Sequence, residues 1–166
     1  MNKLLTIITF LCFSSSIIAQ QPDWVSLPEI IDQAFNESAP DTSKRIYLFQ
    51  RCAAQQLAMS TLVAELSADM EKTFIESSST LSQAAALERI ILARTRIGSS
   101  ADAETISRMS LEAITQLYEQ YMGWANNNYL INGSYFENDE EFDTEIELCI
   151  EISNLARTLI DSTRSN

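Results

Sequence analysis

The sequence predicts an all-α protein, a single helical bundle of four longer helices plus a short N-terminal helix, with one disulfide. Three observations carry this expectation. Gly and Pro are scarce, at three each in 166 residues, so few positions interrupt a helix. No alternating strand pattern persists anywhere in the chain. Apolar residues instead return every three to four positions from the first helix to near the C-terminus, as one face of a helix requires.

The elements follow in order. Ser26-Leu27-Pro28-Glu29 opens the first helix: Ser26 can cap it, Glu29 completes a capping box, Pro28 suits the first turn and Val25 can staple onto Ile30. It should end near Asn36, before Pro40. A long second helix is expected from near Asp41 to about Phe74, on the stripe Phe49, Cys52, Met59, Val63, Leu66, Met70 and Phe74. Ser77-Ser78-Ser79 breaks that pattern, and Thr80 with Gln83 starts a third helix through Ala84, Leu87, Ile90, Ile91 and Ile97 to a stop at Gly98. Ser99 with Asp102 can cap the fourth, whose core stripe is Ile106, Met109, Ala113, Leu117, Tyr121 and Trp124. Asn132-Gly133-Ser134 makes the next turn, because Asn and Gly accept the left-handed backbone of a tight reversal. The fifth helix starts near Asn138 and carries Phe142, Ile146, Cys149, Ile152, Ala156, Leu159 and Ile160.

The N-terminus reads as a secretory leader. Lys3 supplies the positive start, Leu4 to Phe13 an apolar run too short to span a bilayer comfortably, and Ala19 the residue before cleavage. Residues 1–19 are therefore expected to be removed, leaving 20–166 as the bundle domain in a periplasmic or extracellular setting. Cys12 leaves with the leader. Cys52 and Cys149 remain, each central on its apolar stripe, and an even pair in an oxidising compartment predicts a disulfide. Closing a loop of about 100 residues is worth up to roughly 4.7 kcal/mol. A strict up-down stack of helices with these boundaries would place the two cysteines at different heights, so a crossing third helix is expected.

Charge narrows the partners. The formal net charge is −12, and loss of Lys3 makes it −13. That balance argues against nucleic acid and anionic membrane surfaces, and for a protein partner, possibly a basic one. No membrane insertion is expected once the leader is removed.

The chain has no histidine. This removes Ser-His-Asp and Cys-His nucleophilic sites, His-ligated zinc, di-iron Glu-x-x-His sites and Cys-x-x-Cys-His haem attachment. With both remaining cysteines paired, no thiolate nucleophile is left. No Gly-rich phosphate loop or zinc-type cysteine cluster occurs, and no cofactor or metal is expected; the acids of residues 138–143 lack the ligand spacing of a calcium loop. Carboxylates remain. Glu65 and Asp69 are expected four apart on the second helix, and Glu141 and Glu145 four apart at the start of the fifth, where acids also simply complement the helix dipole. Arg94 falls among Leu87, Ile90 and Ile91, on the expected buried side of the third helix. It is a candidate ligand grip or, more ordinarily, an internal ion-pair partner of Glu65, Asp69, Glu141 or Glu145, or a residue that snorkels at the bundle's end.

The fourth helix has a second apolar flank, Leu111, Tyr118, Met122 and Tyr129, which either the first helix or a partner must cover. Tyr118, Met122, Tyr129, Tyr135 and Phe136 are accordingly the candidate partner surface. The sequence thus points to a secreted, non-enzymatic binding module. In size, leader and cysteine economy it is similar to small periplasmic helical proteins that inhibit or neutralise wall-degrading enzymes, a class analogy carried by no motif. The alternatives are a small-ligand carrier or carboxylate-dependent hydrolase built on Arg94 and inward-facing Glu residues, and a structural envelope protein.

Overall fold

Each long apolar period becomes a helix. A computed structural model describes residues 24–36, 38, 40–97, 102–136 and 139–164, and every regular element among them is helical. The leader-like residues 1–19, Gly98 and Ser99 lie outside the described residues. The short α1 (Leu27–Ile31) runs on into a wider π-type turn (Asp32–Asn36) and is followed by α2 (Thr42–Val63), α3 (Ala68–Ile97), α4 (Ala103–Asn132) and α5 (Glu140–Arg164). None of the described helices is long and apolar enough to cross a membrane.

Short polar side chains fix most of the ends. The Asp41 carboxylate accepts from the Ser43 N–H at 2.7 Å to cap α2, and Asp102 does the same for α4 through Glu104 N–H at 2.9 Å. Asp102 is the N-cap of α4, and Ser99, expected to cap with it, lies outside the described residues. Gly133 ends α4 in the left-handed region at φ 75°, the conformation that glycine adopts without a side-chain clash. Asp139 starts α5, accepting from Phe142 N–H at 3.0 Å. Pro28 sits in the first turn of α1, but the Ser26 side chain makes no capping bond there. Val25 is 45% exposed and does not staple onto Ile30.

The boundary between the second and third helices differs from expectation. The chain reverses at residues 64–67, not at 77–79, and Leu66 and Met70 are exposed instead of lying in the core. Ser67 makes the restart, its hydroxyl accepting from Met70 N–H at 3.3 Å. The serine run lies inside α3, with Ser79 Oγ accepting from Gln83 Nε2 at 3.3 Å. Ser78 Oγ donates across to the Ala53 carbonyl at 2.8 Å, Thr80 donates to Glu76, and Ser82 to Ser78. Ser78 is buried against Ala53, and small residues of this kind let α2 and α3 approach as the closest pair in the bundle. Glu65 and Asp69 consequently fall on opposite sides of the turn and share no helix face.

Cross-helix pairs show an up-down-up-down order. Ser78–Ala53 and Glu88–Arg45 run antiparallel between α3 and α2, Gln50–Ser110 and Thr61–Tyr118 parallel between α2 and α4, and Tyr121–Glu145 and Trp124–Phe142 antiparallel between α4 and α5. Both α4 and α5 lie against α2 and α3. Cys52 and Cys149 form the disulfide, with Cα atoms 5.1 Å apart and both residues fully buried. The expected mismatch in height vanishes with the corrected boundary. At about 1.5 Å per residue, Cys52 lies about 16 Å from the end of α2, and Cys149 about 14 Å from the start of α5. No obliquely crossing third helix is needed to join them.

Candidate functional site

Two regions hold the chemistry: a buried polar cluster in the middle of the bundle, and the end where the α2–α3 and α4–α5 turns meet.

The buried cluster centres on Arg51, whose side chain is 0% exposed. Its Nη2 pairs with Glu145, its Nε donates to Tyr121 Oη at 3.1 Å, and its Nη1 donates to the Val25 carbonyl at 2.6 Å. The Trp24 ring covers the guanidinium, 4.5 Å from Cζ to the ring centroid. Tyr121 in turn donates to the second oxygen of Glu145. Both carboxylate oxygens and three guanidinium nitrogens are thereby engaged, as a buried ion pair requires. Burial raises the Glu145 carboxyl above its ordinary range, against the opposing pull of Arg51 and Tyr121. Burial and the Glu145 charge push the Tyr121 phenol well above its usual value. Burial alone would lower Arg51, but Tyr121 and Glu145 hold it above its ordinary value.

Sequence reasoning placed a buried arginine, but on the wrong helix. Arg94 is exposed near the end of α3, and Glu141 is exposed on α5, while Glu145 is enclosed and pairs with Arg51. The expected grouping of Arg94 with Glu141 and Glu145 is therefore corrected to Arg51, Glu145 and Tyr121. A signal for it was present. From Ile46 to Val63 the only charged residue is Arg51, and a helix that is uncharged around its whole circumference is buried on every side. Its single charge must then be paired. Nothing in that stretch names the partner, which lies 94 residues away.

The end of the bundle grows outward from the same cluster. Trp24 packs on Tyr121 at 4.6 Å between centroids, Trp124 on Phe142 at 4.9 Å, Phe142 on Phe136 at 5.4 Å, and Tyr135 on Tyr129 at 4.7 Å. Trp24 and Trp124 find acceptors in Gln120 at 2.9 Å and Asp139 at 2.7 Å. Asn128, last of the asparagine run, is buried and donates to the Ser134 carbonyl at 3.1 Å, tying the turn to α4. The structure thus brings Tyr129, Tyr135 and Phe136 together. Tyr118 and Met122 are half-buried against the core, and the Tyr118 hydroxyl lies 3.3 Å from that of Thr61 on α2. Those two form wall, not tip. The first helix does not cover this flank of α4: Trp24 reaches Gln120 and Tyr121 instead, and Leu111 remains exposed.

At the end of the bundle that carries both turns, Leu130 and Ile131 on α4 and Leu66 on the α2–α3 turn are exposed by 81%, 66% and 80%. Charge is divided along the bundle axis. No Lys or Arg occurs between Met109 and Ala156, so Asp139, Glu140, Glu141 and Asp143 stand at this end without a basic residue on α5 beside them. Lys72, near the start of α3, pairs with Glu76, and Arg157 lines a groove with Asp69 and Met70 beside the α2–α3 turn. Arg45, Arg89, Arg94 and Arg108 lie toward the opposite end, which the antiparallel order of the helices brings together. No protein-family model matches this chain, and no curated protein or solved structure matches it.

Proposed function

We propose that this protein is a secreted, non-enzymatic binding module that engages a basic protein surface through the acidic, aromatic end of its bundle. The observation that carries this reading is the presence at one end of exposed Leu66, Leu130 and Ile131 together with the acids of residues 139–143 at the start of α5. Exposed apolar side chains gathered in one place mark interaction surfaces. Aromatic residues suit such surfaces, and a rim of one charge steers a partner of the other. The leader-like residues 1–19 supply the route of export, and the disulfide suits an oxidising compartment. The carrier or hydrolase alternative finds no support in Arg94, which faces solvent, or in Glu145, whose two oxygens are held by Arg51 and Tyr121. An envelope role through self-association is an outcome of the same test.

A photo-crosslinking residue placed at Leu130, with one at Arg94 as the opposite-end control, tests the reading in the native compartment. The Leu130 position should capture one basic protein, less so at high salt, and the Leu130→Lys/Ile131→Lys variant, probed from Tyr129, should lose it. Capture of the chain's own second copy, or equal capture from both ends, would overturn it.

A further inference from the structure

At the other end of the bundle, α2, α3 and α4 enclose a groove of about 530 Å³, within the roughly 300–1,000 Å³ of small-molecule sites. The faces that line it follow from helical spacing. Ile46, Tyr47 and Gln50 point from successive turns of α2, Arg89 and Leu92 from α3, and Ile106 and Met109 from α4. Its wall is apolar, with Ile46 and Ile106 buried and Leu92 half-buried. Its floor is closed by Gln50 Nε2 donating to Ser110 Oγ at 3.1 Å.

Arg89 sets the specificity. The neighbouring Glu88 is turned to Arg45, which it holds through both oxygens at 3.0 and 3.2 Å. Arg89 is half-buried, yet among the described residues it has no hydrogen bond or ion pair. A partly desolvated guanidinium beside an apolar groove is complementary to a ligand with one anionic head and one apolar tail. Tyr47 also lines this groove.

We infer that this groove binds a single-chain amphipathic anion, an acyl carboxylate, with the head on Arg89 and the chain along Ile46, Leu92 and Ile106. The site is independent of the proposed protein-binding end and stands or falls separately.

Titration calorimetry of the purified protein with octanoate, decanoate and dodecanoate below their micelle concentrations, and with decanol and decyltrimethylammonium as uncharged and cationic controls, tests it. One saturable site is expected, with affinity rising by up to about fourfold per added methylene. Decanoate should bind at least about tenfold more tightly than either control, and Arg89→Gln should remove that preference. Ala93→Phe should block the groove for all three ligand types. A decanoate carrying a nitroxide needs no variant: it should broaden the methyl resonances of Ile46, Leu92 and Ile106. The inference is overturned if no anion saturates, if decanol matches decanoate, if Arg89→Gln binds like the unaltered protein, or if broadening centres elsewhere.

Discussion

Two cross-helix ion pairs leave α2 less than two turns apart, and they share chemistry but not environment. Arg45–Glu88 spans α2 and α3 at the upper end, with side chains 21% and 7% exposed, and Thr42 shares the guanidinium. Arg51–Glu145 spans α2 and α5 in the interior, with side chains 0% and 3% exposed, under Trp24 and bonded to Tyr121 and the Val25 carbonyl. Water reaches the guanidinium of the first pair, although its carboxylate, Glu88, is buried. In the second, loss of one partner strands a charge in the core, which costs far more than the pair itself contributes. Every polar atom of the cluster is satisfied only when the Trp24–Val25 segment, α4 and α5 are all seated against α2.

The largest effect should come from cutting the inner pair on one side only. Arg51→Met is expected to cost about 3–5 kcal/mol. Arg51→Met combined with Glu145→Leu should recover most of that loss, because the stranded charge goes too. Urea unfolding of the two variants measures the gap, and equal loss in both would erase the contrast with the outer pair. Next is the disulfide, which joins the residue after Arg51 to α5 across 97 residues of sequence. Cys52→Ala/Cys149→Ala should cost about 2–4 kcal/mol, seen as a lower thermal midpoint under otherwise matched conditions.

Tyr121→Phe removes one donor and one acceptor from the cluster and should cost about 1–3 kcal/mol at neutral pH. It also changes the alkaline limb. The folded phenol is raised well above its ordinary value of 10.0, so the unfolded chain releases this proton first. The stabilisation that follows is complete below about pH 10 and is lost as pH rises from there through the folded value. Unfolding midpoints should thus decline less steeply above pH 10 in Tyr121→Phe than in the unaltered protein. A parallel decline would remove Tyr121 from the linkage. The smallest effects belong to the outer pairs: about 1 kcal/mol for Arg45→Gln, and under about 0.5 kcal/mol for Arg108→Gln, whose exposed partner is Glu112.

Legibility followed the same division between local and distant causes. The turn at Gly133 and the start of α2 near Asp41 were readable because each depends on a few residues close together in the chain. The reversal at residues 64–67 was not. Leu66 and Met70 continue the apolar period of α2, and only the packing shows that they face solvent while the serines of α3 face Ala53. In the candidate partner surface, Tyr129, Tyr135 and Phe136 were readable as one turn's worth of aromatics, whereas the exposure of Leu66 beside them depended on where α2 ended.

By itself the sequence determined the helical class, the short first helix and four long ones, the pairing of Cys52 with Cys149 and the absence of histidine chemistry. Local periodicity, turn residues and composition suffice for these. Tertiary structure alone decided which carboxylate meets the buried arginine, and which side chains of different helices share one end of the bundle. Those outcomes depend on residues up to 94 positions apart arriving at the same level of antiparallel helices. The period of one helix carries no information about the height of another.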